Sequence, residues 1–342
     1  MESAKKIVRE LIVFLFLIII TYNLVFKNQN MSEVRNIILN IDLKYFIIGF
    51  LAMGLYITFE SINIRNVLKI LGHKVSIFRT IRYTLIGFFF SGITPAASGG
   101  QPMEIYFMHK DGIPVSNASV ALIVELISFQ IITISSCIIG AIINPKLLGH
   151  GVIYLFIAGI TLNFVALSTM LICFFREKTA RKLVNIFLDI LKIFKYKKLE
   201  AKRTKINETI TNYTKSAKVI KANKSIMIKS IILVFFQMFC YYTVPFWIYK
   251  SLGLSSLNIL RFISIQGLLF CSVSSIPLPG SVGVSESAFI SIYSNIFGEK
   301  YLSTATILNR LTNFYAIVVI GLLITIYSSI KVKKQEKKYN SK

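Results

Sequence analysis

Six apolar segments, at 7–26, 44–63, 114–143, 152–175, 226–249 and 303–330, each reach the ~20 residues that a helix needs to cross a bilayer. In hydrocarbon every backbone polar group must find its partner within the chain, so only helices or a closed barrel can span. The short alternating strands of a barrel are absent. The chain therefore reads as one integral, all-α polytopic membrane domain over 1–342. The first segment follows Lys5, Lys6 and Arg9, as in a signal peptide, but its apolar character continues to Phe26 with no small-residue cleavage site. It reads as a retained span.

Two further apolar segments are interrupted. Residues 83–94 are too few to cross and run into Ser91-Gly-Ile-Thr-Pro-Ala-Ala-Ser-Gly-Gly-Gln-Pro-Met-Glu104; residues 258–276 run into Ser275-Ile-Pro-Leu-Pro-Gly-Ser-Val-Gly-Val-Ser-Glu286. Broken segments at corresponding places in two halves are a sequence pointer to a transport site.

Charge sets the orientation. The chain carries a net charge of +24, which in a soluble protein would suggest nucleic acid. Here the charge lies between spans, where it reports contact with anionic lipid at the cytoplasmic face, and no nucleic-acid partner is expected. Residues 176–224 hold 15 Lys/Arg against four acids, and the tail from Lys331 holds six Lys against one acid. Residues 65–82 hold five Lys/Arg and no acid. With these segments cytoplasmic, 83–110 must enter and leave on one face, and 258–298 must do the same from the other. About six full spans and two oppositely oriented re-entrant hairpins then form an inverted repeat. The first half is 1–175, the basic loop 176–225, the second half 226–330 and the basic tail 331–342. Both termini are expected in the cytoplasm of a cell lying behind this plasma membrane. Leu183 to Phe194 reads as an amphipathic stretch on the membrane surface or as a solvated basic linker.

Acids at membrane depth are Glu60, Glu104, Glu125 and Glu286; Arg310 is the base inside a span. Glu60 reads as lying near a span end, and Glu104 as occupying in the first half the place of Glu286 in the second. Charge at such depth is expensive and points to function. An excess of buried acid suits a cationic or zwitterionic group, and the planar fork of Arg310 suits a phosphate. Arg310 could equally lock two helices by pairing with one glutamate. Ser98, Gln101, Ser285 and Asn309 add neutral hydrogen-bonding groups beside the breaks, for a ligand or for freed backbone groups. Gly99, Gly100, Gly280 and Gly283 are expected to permit the turns, and Pro95, Pro102, Pro277 and Pro279 to stop the helices. The four cysteines and three histidines have no metal-ligand spacing, so no metal or cofactor is expected.

The stretch from Gly87 through Glu104, followed by Lys110-Asp-Gly-Ile-Pro114, resembles the first signature of the lysylphosphatidylglycerol synthase transmembrane (flippase-type) family. Pro277-Leu-Pro-Gly-Ser-Val-Gly-Val-Ser-Glu286 is similar to the second, and Leu308-Asn-Arg310 to the Trp-Arg element of the last span. In the bifunctional members, the multiple peptide resistance factors, this region moves aminoacylated phosphatidylglycerol between leaflets, and a separate synthase domain transfers the lysyl group. The resemblance therefore implies a phospholipid substrate, Glu104, Glu286, Arg310 and Glu125 around its head group, a link to antibiotic resistance, and a separate synthase protein as partner. The sequence ends twelve residues after the last expected span, so aminoacyl transfer is not expected of it, although the family name carries that activity. Asn309 stands where Trp is common, and Gln101 where an acid is common. The alternatives from composition are a small-solute or ion-coupled transporter and a lipid-modifying transferase.

Overall fold

The computed structural model describes residues 31–149, 152–179, 199–274 and 278–340, with a few isolated positions between them. All regular structure among them is helical. The span expected at 7–26, most of the stretch 183–194, and Pro277 lie outside the described residues.

The elements run α1 (Met31–Leu39), α2 (Leu43–Ile70), α3 (Ile77–Ile93), α4 (Gly100–Lys110), α5 (Val115–Ile143) and α6 (Val152–Phe175). They continue with α7 (Leu199–Ala222), α8 (Lys224–Ser251), α9 (Ile259–Ser274), α10 (Val284–Arg310), a π-turn at Leu311–Tyr315, and α11 (Ala316–Asn340). Five helical stretches are long and apolar enough to cross a membrane: α2, α5, α6, α8 and the run from Pro279 to Lys334. Their apolar windows are 11% buried for α6 and 44% for α8, which puts α6 at the rim and α8 at the centre.

The helices start where local chemistry satisfies their first amides. The Asp42 side chain accepts from Lys44 N–H at 2.9 Å to open α2. Ser76 caps α3, so this helix begins six residues before the apolar segment at Tyr83 and takes Arg79 and Arg82 into its first turns. The hydropathy window misses that part because its charges sit at the mouth of the hairpin.

The first helices of the two halves, α2 and α8, pack antiparallel. Asp42 N–H donates to Ser251 C=O at one end (2.8 Å), and Ser230 Oγ donates to Asn63 Oδ1 toward the other (2.7 Å). Each is followed by a helical hairpin. In the first, α4 folds back along α3: Arg82 and Tyr83 hold Asp111 at the open end, and Glu104 lies against Gly87. In the second, α10 returns along α9: Tyr293 O–H donates to Gln266 at 3.1 Å, and the Phe262 and Phe297 rings meet at 6.3 Å. The first hairpin opens toward the Ile70 end of α2. The second opens toward the Asp42 end, where α1 packs on α10.

The two tips abut, and they are built alike. A Cβ on Gly280 would stand 3.2 Å from the Gly92 carbonyl. In each tip two successive residues after a proline take left-handed backbone, Ala96 and Ala97 (φ 52° and 54°) and Gly280 and Ser281 (57° and 50°). Three of these four are not glycine, a strained arrangement that clusters at functional sites. Gly99 and Gly100 do not supply the first turn, as the sequence suggested. Their backbone is right-handed, and a side chain on either would strike Thr94 or Ser91.

The closing helix of each half packs on the opposite half's hairpin. Helix α5 lies along α9, with Gly140 against the Ser264 carbonyl and Gly267 against Ser136. Helix α11 lies along α3, with Gly321 against the Leu85 carbonyl and Gly92 against Val318. Such small-residue contacts let helices approach closely where no hydrophobic effect drives them together. Cys137 on α5 and Cys271 on α9 are both buried free thiols.

The basic segment 176–225 is not all loop. Helix α7 docks Ile210, Ala217 and Ile220 into the bundle. Its Ser216 O–H donates to Asn117 Oδ1 at 2.6 Å, and the Asn117 amide meets the His73 ring at 2.7 Å, so α7 is tied to the mouth of the first hairpin.

Candidate functional site

Glu286 is fully buried at the third position of α10, and its carboxylate is shared between two tasks. One oxygen accepts the Gly283 N–H at 2.7 Å, closing the open amide end of α10. The other accepts from Arg310 Nε at 2.7 Å. Arg310 Nη2 donates to the Gly280 carbonyl at 3.0 Å, and the guanidinium lies 4.4 Å from the centroid of Phe314. Helix α10 is broken at Gly298 (φ 65°, ψ 168°), and the break brings Arg310 back to Glu286, so one side chain beyond it holds the second tip. The π-turn follows immediately; such turns interrupt helices most often at functional sites, and this one had no signal in the sequence.

Glu104 belongs to a different cluster. Counting from the prolines that begin the two similar turns, Pro95 and Pro279, the residue matching Glu286 is Pro102. Glu104 sits two positions further along and so faces elsewhere. It packs over Gly87, where even a methyl group would collide with its carboxylate. It lies within electrostatic reach of Glu60 from α2 and Glu125 from α5. From α8, the fully buried Gln237 donates Nε2–H to Glu60 Oε2 at 3.1 Å and lies within electrostatic reach of Glu125. Tyr56 and Tyr241 border the group. Tyr241 is also within reach of Arg310, so the two charged groups are neighbours across one side chain.

The sequence reading placed Glu104, Glu286 and Arg310 around one cavity. The structure unites Glu286 with Arg310 and sets Glu104 with Glu125 and Glu60. Glu60 is not near a span end, because α2 continues through Arg65 to Ile70. Gln237 was missed: a neutral side chain in an apolar run gives no charge signal, although a wholly buried glutamine needs partners. Of the other candidates, Ser98 and Pro95 are exposed at the first tip, and Gln101 and Ser285 are partly buried at the starts of α4 and α10. Asn309 is 4% exposed, and its Oδ1 accepts no hydrogen bond.

Residues 7–321 match the model of the lysylphosphatidylglycerol synthase TM region. The chain belongs to that family. It is also 22% identical, over 312 residues, to a UPF0104 membrane protein of Archaeoglobus fulgidus, an alignment covering 91% of this chain and 94% of that one. Both broken hairpins, the ion pair and the carboxylate cluster fall within the matched part of the lysylphosphatidylglycerol synthase TM-region fold.

Proposed function

We propose that the protein moves the head group of a phospholipid between leaflets, with an aminoacylated phospholipid such as lysylphosphatidylglycerol as the substrate class. One observation carries this reading: two broken hairpins of opposite orientation meet tip to tip beside a buried ion pair and three buried or half-buried carboxylates. Such a centre gives a polar head group compensation that hydrocarbon cannot, while the acyl chains stay in lipid. An ammonium suits Glu60, Glu104 and Glu125. A phosphate suits the amides at the start of α4, and the Arg310 fork once it leaves Gly280. The family match to a lipid synthase's membrane region supports a lipid over a small solute.

In this reading the chain is a plasma-membrane translocase with both termini cytoplasmic, its basic segments resting on anionic lipid and nucleic acid playing no part. Aminoacyl transfer belongs to a separate synthase protein. The test is leaflet-resolved analysis of an aminoacylated lipid in proteoliposomes. Translocation above protein-free liposomes, lost in Glu104→Gln, is expected. Equal leaflet exchange with and without protein overturns the reading. Purified protein is expected to transfer no lysyl group from charged tRNA to phosphatidylglycerol.

A further inference from the structure

The carboxylates around Gln237 lack what Glu286 has. Among the described residues no ion pair reaches Glu60, Glu104 or Glu125. Their surroundings hold Tyr56 on α2, Gln237 and Tyr241 on α8, and Gly87 on α3. Arg310, whose charge reaches Tyr241, is already held by Glu286. Three such carboxylates cannot all stay ionised at membrane depth, because repulsion adds to the loss of hydration.

A second observation concerns acceptors. Glu104 Oε2 and Gln237 Oε1 are buried and receive no hydrogen bond, although Gln237 is wholly enclosed and its other end is engaged in the cluster. An acceptor left bare in such surroundings calls for a donor. The O–H of a protonated carboxyl is a donor that the cluster itself can supply. The acidic side chains do not converge tightly enough for a single metal ion to bridge them.

We propose that Glu60, Glu104, Glu125 and Gln237 form a proton-binding site inside the membrane, which holds at least one proton while the bundle is closed and exchanges it as the first hairpin moves. Uptake converts one carboxylate and a proton from water into a carboxylic acid; release reverses this, and the charge of the cluster changes by one. Glu104 rides on the hairpin, whereas the other members belong to α2, α5 and α8. Removing the last shared proton therefore sets like charges between the hairpin and its seat. The inference does not depend on the substrate being a lipid.

The test uses the full chain in lipid nanodiscs without added substrate, with infrared detection of the carboxylic-acid C=O stretch. A glutamate carboxylic-acid band at neutral pH that fades in alkali is expected, weakened in each of Glu60→Gln, Glu104→Gln and Glu125→Gln and absent in the triple variant. Its absence from the unmodified protein at neutral pH, a result needing no variant, overturns the proposal. So does a band unchanged by the triple substitution. In a second measurement, a cysteine at Ser98 is labelled with a hydrophilic maleimide. Taken relative to free cysteine at each pH, because thiolate formation alone speeds the reaction, labelling several-fold faster in alkali and no longer so once Glu104→Gln is present is expected; a relative rate independent of pH in the parent overturns the link to hairpin movement. Neither readout involves transport. A carboxylic-acid band without lipid translocation sinks the lipid reading alone, and translocation without the band sinks this one.

Discussion

Arg310 and Glu286, on opposite sides of the break at Gly298 in α10, are bonded at 2.7 Å, with side chains 7% and 0% exposed, and the same guanidinium restrains the Gly280 carbonyl. Removing either charge strands the other in the membrane interior. Arg310→Ala or Glu286→Ala is expected to lower stability by about 3–5 kcal/mol, as for a broken buried pair. The double change Glu286→Leu with Arg310→Met is expected to regain most of that in thermal unfolding in detergent. If the pair is only a lock, the double variant also translocates. If Arg310 receives a phosphate during the cycle, the double variant folds but does not translocate.

Gly87 is open to a direct steric test. A methyl group there would occupy the space of the Glu104 carboxylate. Gly87→Ala is expected to cost about 1–3 kcal/mol, the usual range for overpacking. Adding Glu104→Ala should recover much of the loss, since contacting sites are not additive. Equal losses for single and double variants would show that Gly87 is constrained by something other than Glu104.

The reciprocal packing of the halves makes a paired prediction. Gly140→Leu forces α5 from α9, and Gly321→Leu forces α11 from α3. Both are expected to lower the unfolding midpoint markedly, at about 1–3 kcal/mol or more. Gly54→Leu, where nothing lies within 4 Å, is expected to leave it nearly unchanged. Comparable tolerance at all three positions would contradict the close approach.

Much of this architecture was legible in the sequence, because apolar length and glycine–proline breaks report directly on what hydrocarbon permits. The grouping of the acids was not. Glu60 looked peripheral because Arg65 ended the apolar window, yet the helix continues past it to Ile70. Glu104 looked like the counterpart of Glu286 because each follows its break closely. A two-residue offset turns a helical side chain by more than half a circle, so the two acids face different partners. Helix α7 was hidden in a basic segment whose charge dominated its composition.

The mouth of the first hairpin offers a topological check. Arg82 and Tyr83 both bond Asp111. Cysteines at 82 and 111 should be labelled from one face of the membrane only, and a short bifunctional cross-linker should join them in high yield. Labelling from opposite faces would mean that 83–110 crosses the membrane. Should joining them also stop translocation, the mouth must part during the cycle.

The exchange of closing helices between the halves sets an order of assembly. Helix α3 enters the membrane early in synthesis, yet the surface around Gly92 and Leu85 is covered by the second tip, the π-turn and α11, all made late. Contacts of such long sequence separation form slowly and leave partly built intermediates. The nascent first hairpin must therefore wait at the membrane with one flank bare. Two half-chains made separately should each be unstable, and each should be rescued by the other in the same cell.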